Sequence, residues 1–435
     1  MELLLSHVTA VTMEEPGAII ENAYLAVDGG KIISVGTARP AGPFDREIDC
    51  TGKIAMPGLI NAHTHVPMTV LRGYADDYCL QDWLQNYIFP AEAKMDERCV
   101  AAGALLGFAE MIRCGITSVT EMYFKTPVIA KTALETGIKA NICNGALSFD
   151  PEGYDFEKAG ETQEMRLALE TWHGADDGRL KLDVGIHGEY TSFEKLWRKN
   201  AEFAAEHDLN VHIHVSETKK EHEECIARHG KTPIAMLAQS GAFDTRATAA
   251  HCVYVTEDDM EIMRRKSVTA AHNPVSNLKL ASGIAPVAKM LQKGVSVALG
   301  TDGVASNNSH DLFEEIKLCA LLQKGISGDP KSLPAWQALR CATVGGAFAQ
   351  RREKECGMLK PGMDADLILV DADYFCLQPI YQPVSALCYS VTGRDVCLTM
   401  VRGKILYENG KFTTIDLEKA LYEVNHYAVA HILEK

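Results

Sequence analysis

Apolar and polar positions change period along this chain. Over the first fifty-odd residues they alternate: Leu3 to Val11, then Ala23 to Val27 and Lys31 to Val35, the last two joined by Asp28-Gly29-Gly30, a hairpin signal. Such alternation predicts short strands with one buried face. It returns near the C-terminus in Asp366 to Asp371 and Leu398 to Lys404, punctuated by Gly and Asp, so the two chain ends are expected to pair into one small β unit. A last segment, Leu417 to Leu433, has helical apolar spacing.

Between these ends, short apolar runs alternate with longer helix-period stretches, the signature of repeated βα units around a parallel sheet. Eight candidate strands stand out: 54–62, 115–122, 138–145, 180–187, 209–215, 247–252, 267–271 and 295–300. Eight such units closing on themselves make a (β/α)8 TIM barrel, with chemistry where strands end and loops begin. An open doubly wound sheet is the competing arrangement. The expected fold is therefore α/β: a barrel over residues 57–355, and a small β-sandwich domain formed from 1–56 and 356–435, the latter carrying the terminal helix.

Composition narrows the function. The chain has 435 residues, 47% hydrophobic and 23% charged, which is ordinary for a globular protein and long enough for one large barrel with a smaller companion. A formal charge of −15 without a Lys/Arg run argues against a nucleic-acid surface and for a small-molecule substrate. The start, Met1-Glu2-Leu3-Leu4-Leu5, has an early acid and too short an apolar stretch for a secretory signal, and no membrane-length apolar run follows. A cytoplasmic protein with no membrane partner is expected. The thirteen cysteines are scattered without a CxxC pair, which in a reducing compartment makes them small core residues, Cys252 included.

The C-terminal ends of the candidate strands carry the chemistry. The first ends in His63 and His65, which share a face on a strand; the fourth in His187; the fifth in His212 and His214; the sixth in His251; the seventh in His272; the eighth leads into Thr301-Asp302-Gly303. One histidine in such a place is usually a satisfied core or surface residue, but this many on one rim argue for a metal site. His214 is nearer the mouth than His212, which is expected one layer deeper. His63, His65, His214 and Asp302 then offer three neutral nitrogens and a carboxylate to one divalent ion, suiting Zn2+, with Fe2+ or Mn2+ able to use the same donors. Asp302 is also placed to orient the attacking water. Glu217, on the loop just after His214, is the candidate proton carrier, its plain alternative being a helix cap after Ser216. His251, spare as a ligand, is free to polarise water.

With these residues assembled, the chain resembles the single-metal aminohydrolase branch of the amidohydrolase superfamily, through PGLINAHTH at 57–65, HVSET at 214–218, AAHCV at 249–253, HNPVSNLKLASGIAPV at 272–287 and LGTDGVASNNS at 299–309. It is most similar to the 5'-methylthioadenosine/S-adenosylhomocysteine deaminases. The resemblance implies deamination of 5'-substituted adenosines, with His63, His65, His214 and Asp302 as metal ligands, Glu217 as proton shuttle at the purine and His251 as water-polarising base. It adds substrate contacts: Glu92 on the ribose hydroxyls, His187 on the purine, Trp83 as an aromatic wall, and Asn144 at the end of the third strand. It also implies a homo-oligomer.

Where some relatives carry arginines at the third strand and in the loop beyond it, this chain has Ile142-Cys143-Asn144-Gly145 and an acidic loop, 148–163, without arginine. An acidic loop disfavours an anionic tail, so uncharged 5'-groups are expected unless Arg166 or a neighbouring subunit supplies a cation. Lys139 and Lys181, the candidate bridging lysines of a two-metal site, precede the apolar core of their strands and fall at the wrong barrel end. Deamination of a free base such as guanine, cytosine or a pterin, or triazine hydrolysis, uses the same catalytic residues and is the alternative chemistry. A non-catalytic scaffold would not need every ligand, acid and base.

Overall fold

The computed structural model describes residues 2–433; Met1, Glu434 and Lys435, which belong to the expected end segments, lie outside the described residues. Five strands open the chain: β1 (Leu3–Val11), β2 (Ile19–Asp28), β3 (Lys31–Gly36), β4 (Arg46–Asp49) and β5 (Lys53–Pro57). The β2–β3 hairpin turns on Gly29 and Gly30, with φ of 54° and 81°, the left-handed region that glycine enters without a Cβ penalty. At Gly30 a Cβ would also stand 2.8 Å from the Arg402 carbonyl oxygen.

Two parallel sheets follow. β6 (Leu59–Thr64), β7 (Ile116–Met122), β8 (Lys139–Cys143) and β9 (Leu180–Leu182) form one; β10 (Val184–Gly188), β11 (Val211–Val215), β12 (Ala247–His251), β13 (Val268–His272) and β14 (Ser296–Leu299) form the other. Every residue of β6, β7, β8, β11, β12 and β13 is buried, the pattern of strands covered on both faces. The covering helices are amphipathic. Glu194–Glu206, for example, buries Leu196, Trp197, Asn200, Ala201, Phe203 and Ala204, and leaves its charged residues outside.

Two expected strands are each divided in the structure. The 54–62 run breaks at Gly58: β5 belongs to the sheet of the chain ends and β6 to the parallel sheet. A Cβ on Gly58 would lie 2.2 Å from the Thr117 side chain, so only glycine lets the chain cross between layers there. The 180–187 run breaks at Asp183, where pairing with β8 gives way to pairing with β11. The sheets remain linked across this step, because Ala146 N–H donates to the Gly185 carbonyl (3.1 Å) and His187 N–H to that of Ala146 (2.9 Å). At the opposite edge, Asp302 N–H donates to the His63 carbonyl at 3.0 Å and the Asn61 amide to Thr301 Oγ1 at 2.7 Å.

The chain returns through β15 (Leu367–Asp371), β16 (Val396–Val401), β17 (Lys404–Glu408) and β18 (Lys411–Phe412). β15 runs antiparallel beside β5, which puts N- and C-terminal segments in one nine-stranded sheet ordered β18-β17-β16-β15-β5-β1-β2-β3, with β4 on β1. Leu417–Leu433 is helical, through three consecutive helical segments. It docks on helix Glu97–Arg113, where Arg98 pairs with Glu423 at 2.7 Å and stacks over the Tyr427 ring. No helix of the described residues is long and apolar enough to cross a membrane.

Lys139, at the start of β8, is 1% exposed and bonds the Asp364 and Asp366 carboxylates just before β15, tying the parallel sheet to the sheet of the chain ends. Removing Lys139 leaves the buried Asp366 carboxylate without an ion-pair partner among the described residues, while Asp364 keeps Lys31 at 2.5 Å. Lys139→Met is therefore expected to lower stability by about 3–5 kcal/mol, and adding Asp364→Asn and Asp366→Asn should recover part of it. Urea unfolding midpoints check this; an unchanged midpoint in Lys139→Met would count against it.

Candidate active site

β6 delivers two histidines to one side. His63 and His65 are separated by Thr64, so both rings leave the strand end together, with centroids 4.9 Å apart. β11 repeats the arrangement with His212 and His214, β12 ends in His251, and Asp302 follows β14. Three of these ends turn through the left-handed region: Ser216 (φ 51°), His251 (φ 72°) and Asp302 (φ 60°). For residues bearing a Cβ this costs about 1–2 kcal/mol each, and such strain gathers at functional sites.

The donor atoms converge. His65 Nε2 lies 3.3 Å from His214 Nε2 and 3.3 Å from Asp302 Oδ1, and His63 Nε2 is 3.5 Å from the same oxygen. The proton positions follow from the other ring nitrogens. His65 Nδ1–H donates to the Met122 carbonyl and His214 Nδ1–H to that of His187, so both Nε2 atoms carry lone pairs and cannot bond each other. His63 Nδ1 bonds His212 Nε2 at 2.8 Å, and His63 Nε2 is buried without a partner. Burial pushes the His63 imidazole down to about 4 and also lowers His65 and His214, keeping all three neutral. Asp302 accepts from Ser276 (2.6 Å) and Ser306 (3.1 Å) hydroxyls and from Gly303 N–H (2.8 Å), which hold its carboxylate form. Facing lone pairs and an anion at this spacing fit one cation: tetrahedral bonds of about 2.0–2.1 Å set ligand atoms about 3.3 Å apart. His212 sits behind His63, as its deeper position in β11 implied.

His251 and Glu217 stand beside this cluster, with His251 Nε2 3.7 Å from Glu217 Oε2. His251 Nδ1–H donates to Asn277 Oδ1 at 2.8 Å, which leaves the Nε2 lone pair facing the cluster side. Burial, and then the nearby Asp302, push the Glu217 carboxyl well above the usual range. Its backbone is fixed from below, because Glu221 accepts from Ser216 N–H and Glu217 N–H, both at 2.7 Å. The capping alternative for Glu217 does not arise: Thr218 caps helix Lys219–His229.

A cavity of about 360 Å³ opens over these groups, a size suited to a small ligand. His65, His214, Glu217, His251 and Asp302 line it, and so do Glu92, Trp83, Asn144 and His187. Glu92 is half-buried because it faces the cavity, yet its carboxyl has little water around it. Burial pushes it up to about 7, with the Tyr123 hydroxyl bond opposing. His187 Nδ1 bonds Thr191 Oγ1 at 2.9 Å, and burial lowers this ring to about 4. The Trp83 indole Nε1 is buried without a partner. His272 is not part of the cavity: its ring is buried outside the lining and neither nitrogen has a partner. Cys252 is buried, its thiol raised by burial, and it is not in the lining. Lys139 and Lys181 bond Asp364, Asp366 and Glu355, well away from the histidines.

Sequence reasoning missed several supports. Ser276 and Asn277 lie inside the 272–287 run but had no assigned roles, and Tyr123, Tyr190, Glu161 and Glu164 line the cavity unannounced. Glu121 accepts Val66 N–H at 2.7 Å, pinning the chain directly after His65. The one ionisable residue in a strand of apolar and hydroxyl side chains was the available signal for it.

Comparison with known proteins finds relatives along nearly the whole chain. The amidohydrolase family pattern matches residues 54–406. The 5-methylthioadenosine/S-adenosylhomocysteine deaminase of Thermoanaerobacter pseudethanolicus is 42% identical, over 98% of this chain and 99% of that one. The 5'-deoxyadenosine deaminase of Methanosarcina acetivorans is also 42% identical, over 97% of this chain and 96% of its own length. Among solved structures, an adenosine deaminase from Xanthomonas campestris with bound zinc superposes with a TM-score of 0.92, at 32% identity, over 99% of this chain and 98% of that one.

The geometry separates ligands from their supports. His214→Ala is expected to abolish stoichiometric binding of a divalent ion, whereas His212→Gln should keep the site but weaken it about 10–100-fold. Competition against a chromogenic chelator measures both; equal loss in the two variants would contradict the assignment.

Proposed function

This chain belongs to the amidohydrolase family, and on that premise we propose that it is a single-metal aminohydrolase of 5'-substituted adenosines, among them 5'-methylthioadenosine, S-adenosylhomocysteine, 5'-deoxyadenosine and adenosine. It is a hydrolase of C–N bonds, and the products are the inosine-type nucleoside and ammonia. The observation that carries the reading is one cavity lined both by a converging His65/His214/Asp302 donor set with Glu217 and His251 beside it, and by the buried carboxyl of Glu92.

A divalent ion held by His63, His65, His214 and Asp302 supplies the Lewis acidity that makes water nucleophilic at neutral pH; zinc suits the donors, and iron or manganese can use them. Glu217, raised by burial, holds a proton at the cavity wall and gives it to the purine N1, which makes C6 electrophilic. His251, its tautomer set by Asn277, accepts a proton from the attacking water through Nε2. As the C6–O bond completes and the C6–N bond breaks, one of the water's two protons goes to the departing amine, which leaves as ammonia, and the other restores Glu217, whose own proton stays on N1 of the inosine-type product. Glu92 accepts both ribose hydroxyls, a two-oxygen task that a carboxylate performs well. His187 and Asn144 meet the purine and sugar edges, and Trp83 packs against the nucleoside.

The same reading covers the scaffold. The two parallel sheets are taken as two arcs of one (β/α)8 barrel over 57–355, supported by the bonds between Ala146 and Gly185 and between His63 and Asp302. The nine-stranded sheet is taken as a β-sandwich domain built from 1–56 and 356–435.

The test is ammonia release and the accompanying ultraviolet change for the metal-loaded enzyme with adenosines, guanine and cytosine side by side. Turnover of the adenosines alone is expected. Glu217→Gln should lower kcat about 10²–10⁴-fold. Activity confined to free bases would overturn the role of Glu92.

A pH profile follows from the same group. Glu92 must be a carboxylate to accept two hydroxyls, and its pKa is raised to about 7. Above that value it is deprotonated, so kcat/KM for 5'-methylthioadenosine should fall as pH drops through about 7. Glu92→Gln should remove that limb; a limb that survives the substitution belongs to another group.

A further inference from the structure

Charge in the cavity lining is one-sided. Every ionised-type side chain there other than histidine is an acid: Glu92, Glu161, Glu164, Glu217 and Asp302, with no lysine or arginine. Three of these have tasks in the deamination. Glu161 and Glu164 do not, and they stand one turn apart on helix Gly160–Trp172, where positions i and i+3 share a face.

The helix start is held against the end of β8, because the Asn144 side-chain amide donates to the Glu161 carbonyl oxygen at 2.7 Å. Glu164 Oε1 accepts Thr126 N–H at 2.9 Å, which leaves its second oxygen uncommitted. The Glu161 carboxylate makes no ion pair among the described residues. Two cations lie close by, outside the lining. Arg166 pairs with Glu157 at 2.8 Å and lies over the Phe203 ring, and Lys125 lies 6.0 Å from the centre of the Phe124 ring, neither being in the lining. Phe124, Gly145 and Leu147 complete this part of the wall, so an alkyl or thioether chain would run along apolar surface toward two carboxylates.

We propose that Glu161 and Glu164 determine specificity for the 5'-substituent, admitting neutral and cationic chains and discriminating against those that end in a carboxylate, so that S-adenosylhomocysteine ranks below 5'-methylthioadenosine among the substrates above. This rests on the adenosine-deaminase reading above. A ligand carboxylate brought here loses water and meets like charge, whereas an ammonium gains two acceptors in a partly desolvated wall.

The experiment uses the metal-loaded full chain and adenosines of matched 5' chain length: 5'-(3-aminopropylthio)-, 5'-butylthio- and 5'-(2-carboxyethylthio)adenosine. The parent enzyme is expected to rank amine and alkyl above carboxylate in kcat/KM, mainly through KM. In Glu161→Gln/Glu164→Gln the amine-to-carboxylate ratio should fall about tenfold, and Glu161→Lys should lower it further. A parent that deaminates all three without discrimination, or a ratio that falls by less than about threefold in the double variant, overturns the role of the two glutamates while leaving the deaminase intact. A metal-loaded parent that deaminates neither these nor adenosine overturns the deaminase reading and this inference with it.

Discussion

Two imidazole lone pairs face each other across 3.3 Å at His65 and His214, and no hydrogen bond relieves them because each ring's proton is committed to a backbone carbonyl. Those carbonyls belong to Met122, at the end of β7, and His187, within β10. The strands flanking each histidine therefore set its tautomer, and the donor cluster depends on strand order as much as on the histidines. A cation resolves the conflict; two protonated nitrogens would not, since burial disfavours the imidazolium form of both rings. The facing pair His63–His212 adds a third dependence, because it requires β6 and β11 to lie across from one another.

Holding acceptors this close asks the surrounding chain to absorb strain. The left-handed turns at Ser216, His251 and Asp302 are each over-determined by hydrogen bonds from a neighbouring segment. Ser216 donates its N–H to Glu221, the His251 ring is held by Asn277, and the Asp302 carboxylate is held by Ser276 and Ser306. Ser276 and Asn277 are adjacent on the short helix Pro274–Lys279, so that single turn steadies both His251 and Asp302. The buried Glu221, pushed up to about 8 by burial and then by Glu217, accepts the Ser216 and Glu217 N–H groups and so fixes the backbone beneath Glu217.

The histidines and Asp302 were legible because a strand's period of two and the rule that chemistry sits at strand ends need only local sequence. The breaks at Gly58 and Asp183 were not, since the apolar runs 54–62 and 180–187 read continuously and only the neighbouring strands decide where pairing changes. The β2–β3 hairpin was legible from Asp28-Gly29-Gly30 alone. Glu121 and Glu221 were hidden for a different reason. Each acts on backbone N–H groups elsewhere, so its partners carry no side-chain signature in the sequence. Glu161 and Glu164 read as part of an acidic loop and helix, and only the fold turns that helix's first turn toward the cavity.

Buried polar groups are densely bonded around Arg352 and Lys139. At the end where the strands begin, Arg352 spends its guanidinium on Asn141, Gly178, Ala140, Arg179 and Glu355, while Lys139 is bonded to Asp364 and Asp366. At the end where they finish, His63 Nε2 and Trp83 Nε1 are buried without partners. A buried polar atom left unpaired costs about 1–3 kcal/mol. His63 Nε2 presents its lone pair beside Asp302, and Trp83 Nε1 presents a donor in the cavity lining. Stability collects where Lys139 and Arg352 sit and reactivity where Asp302 sits, and β6 to β14 connect the two.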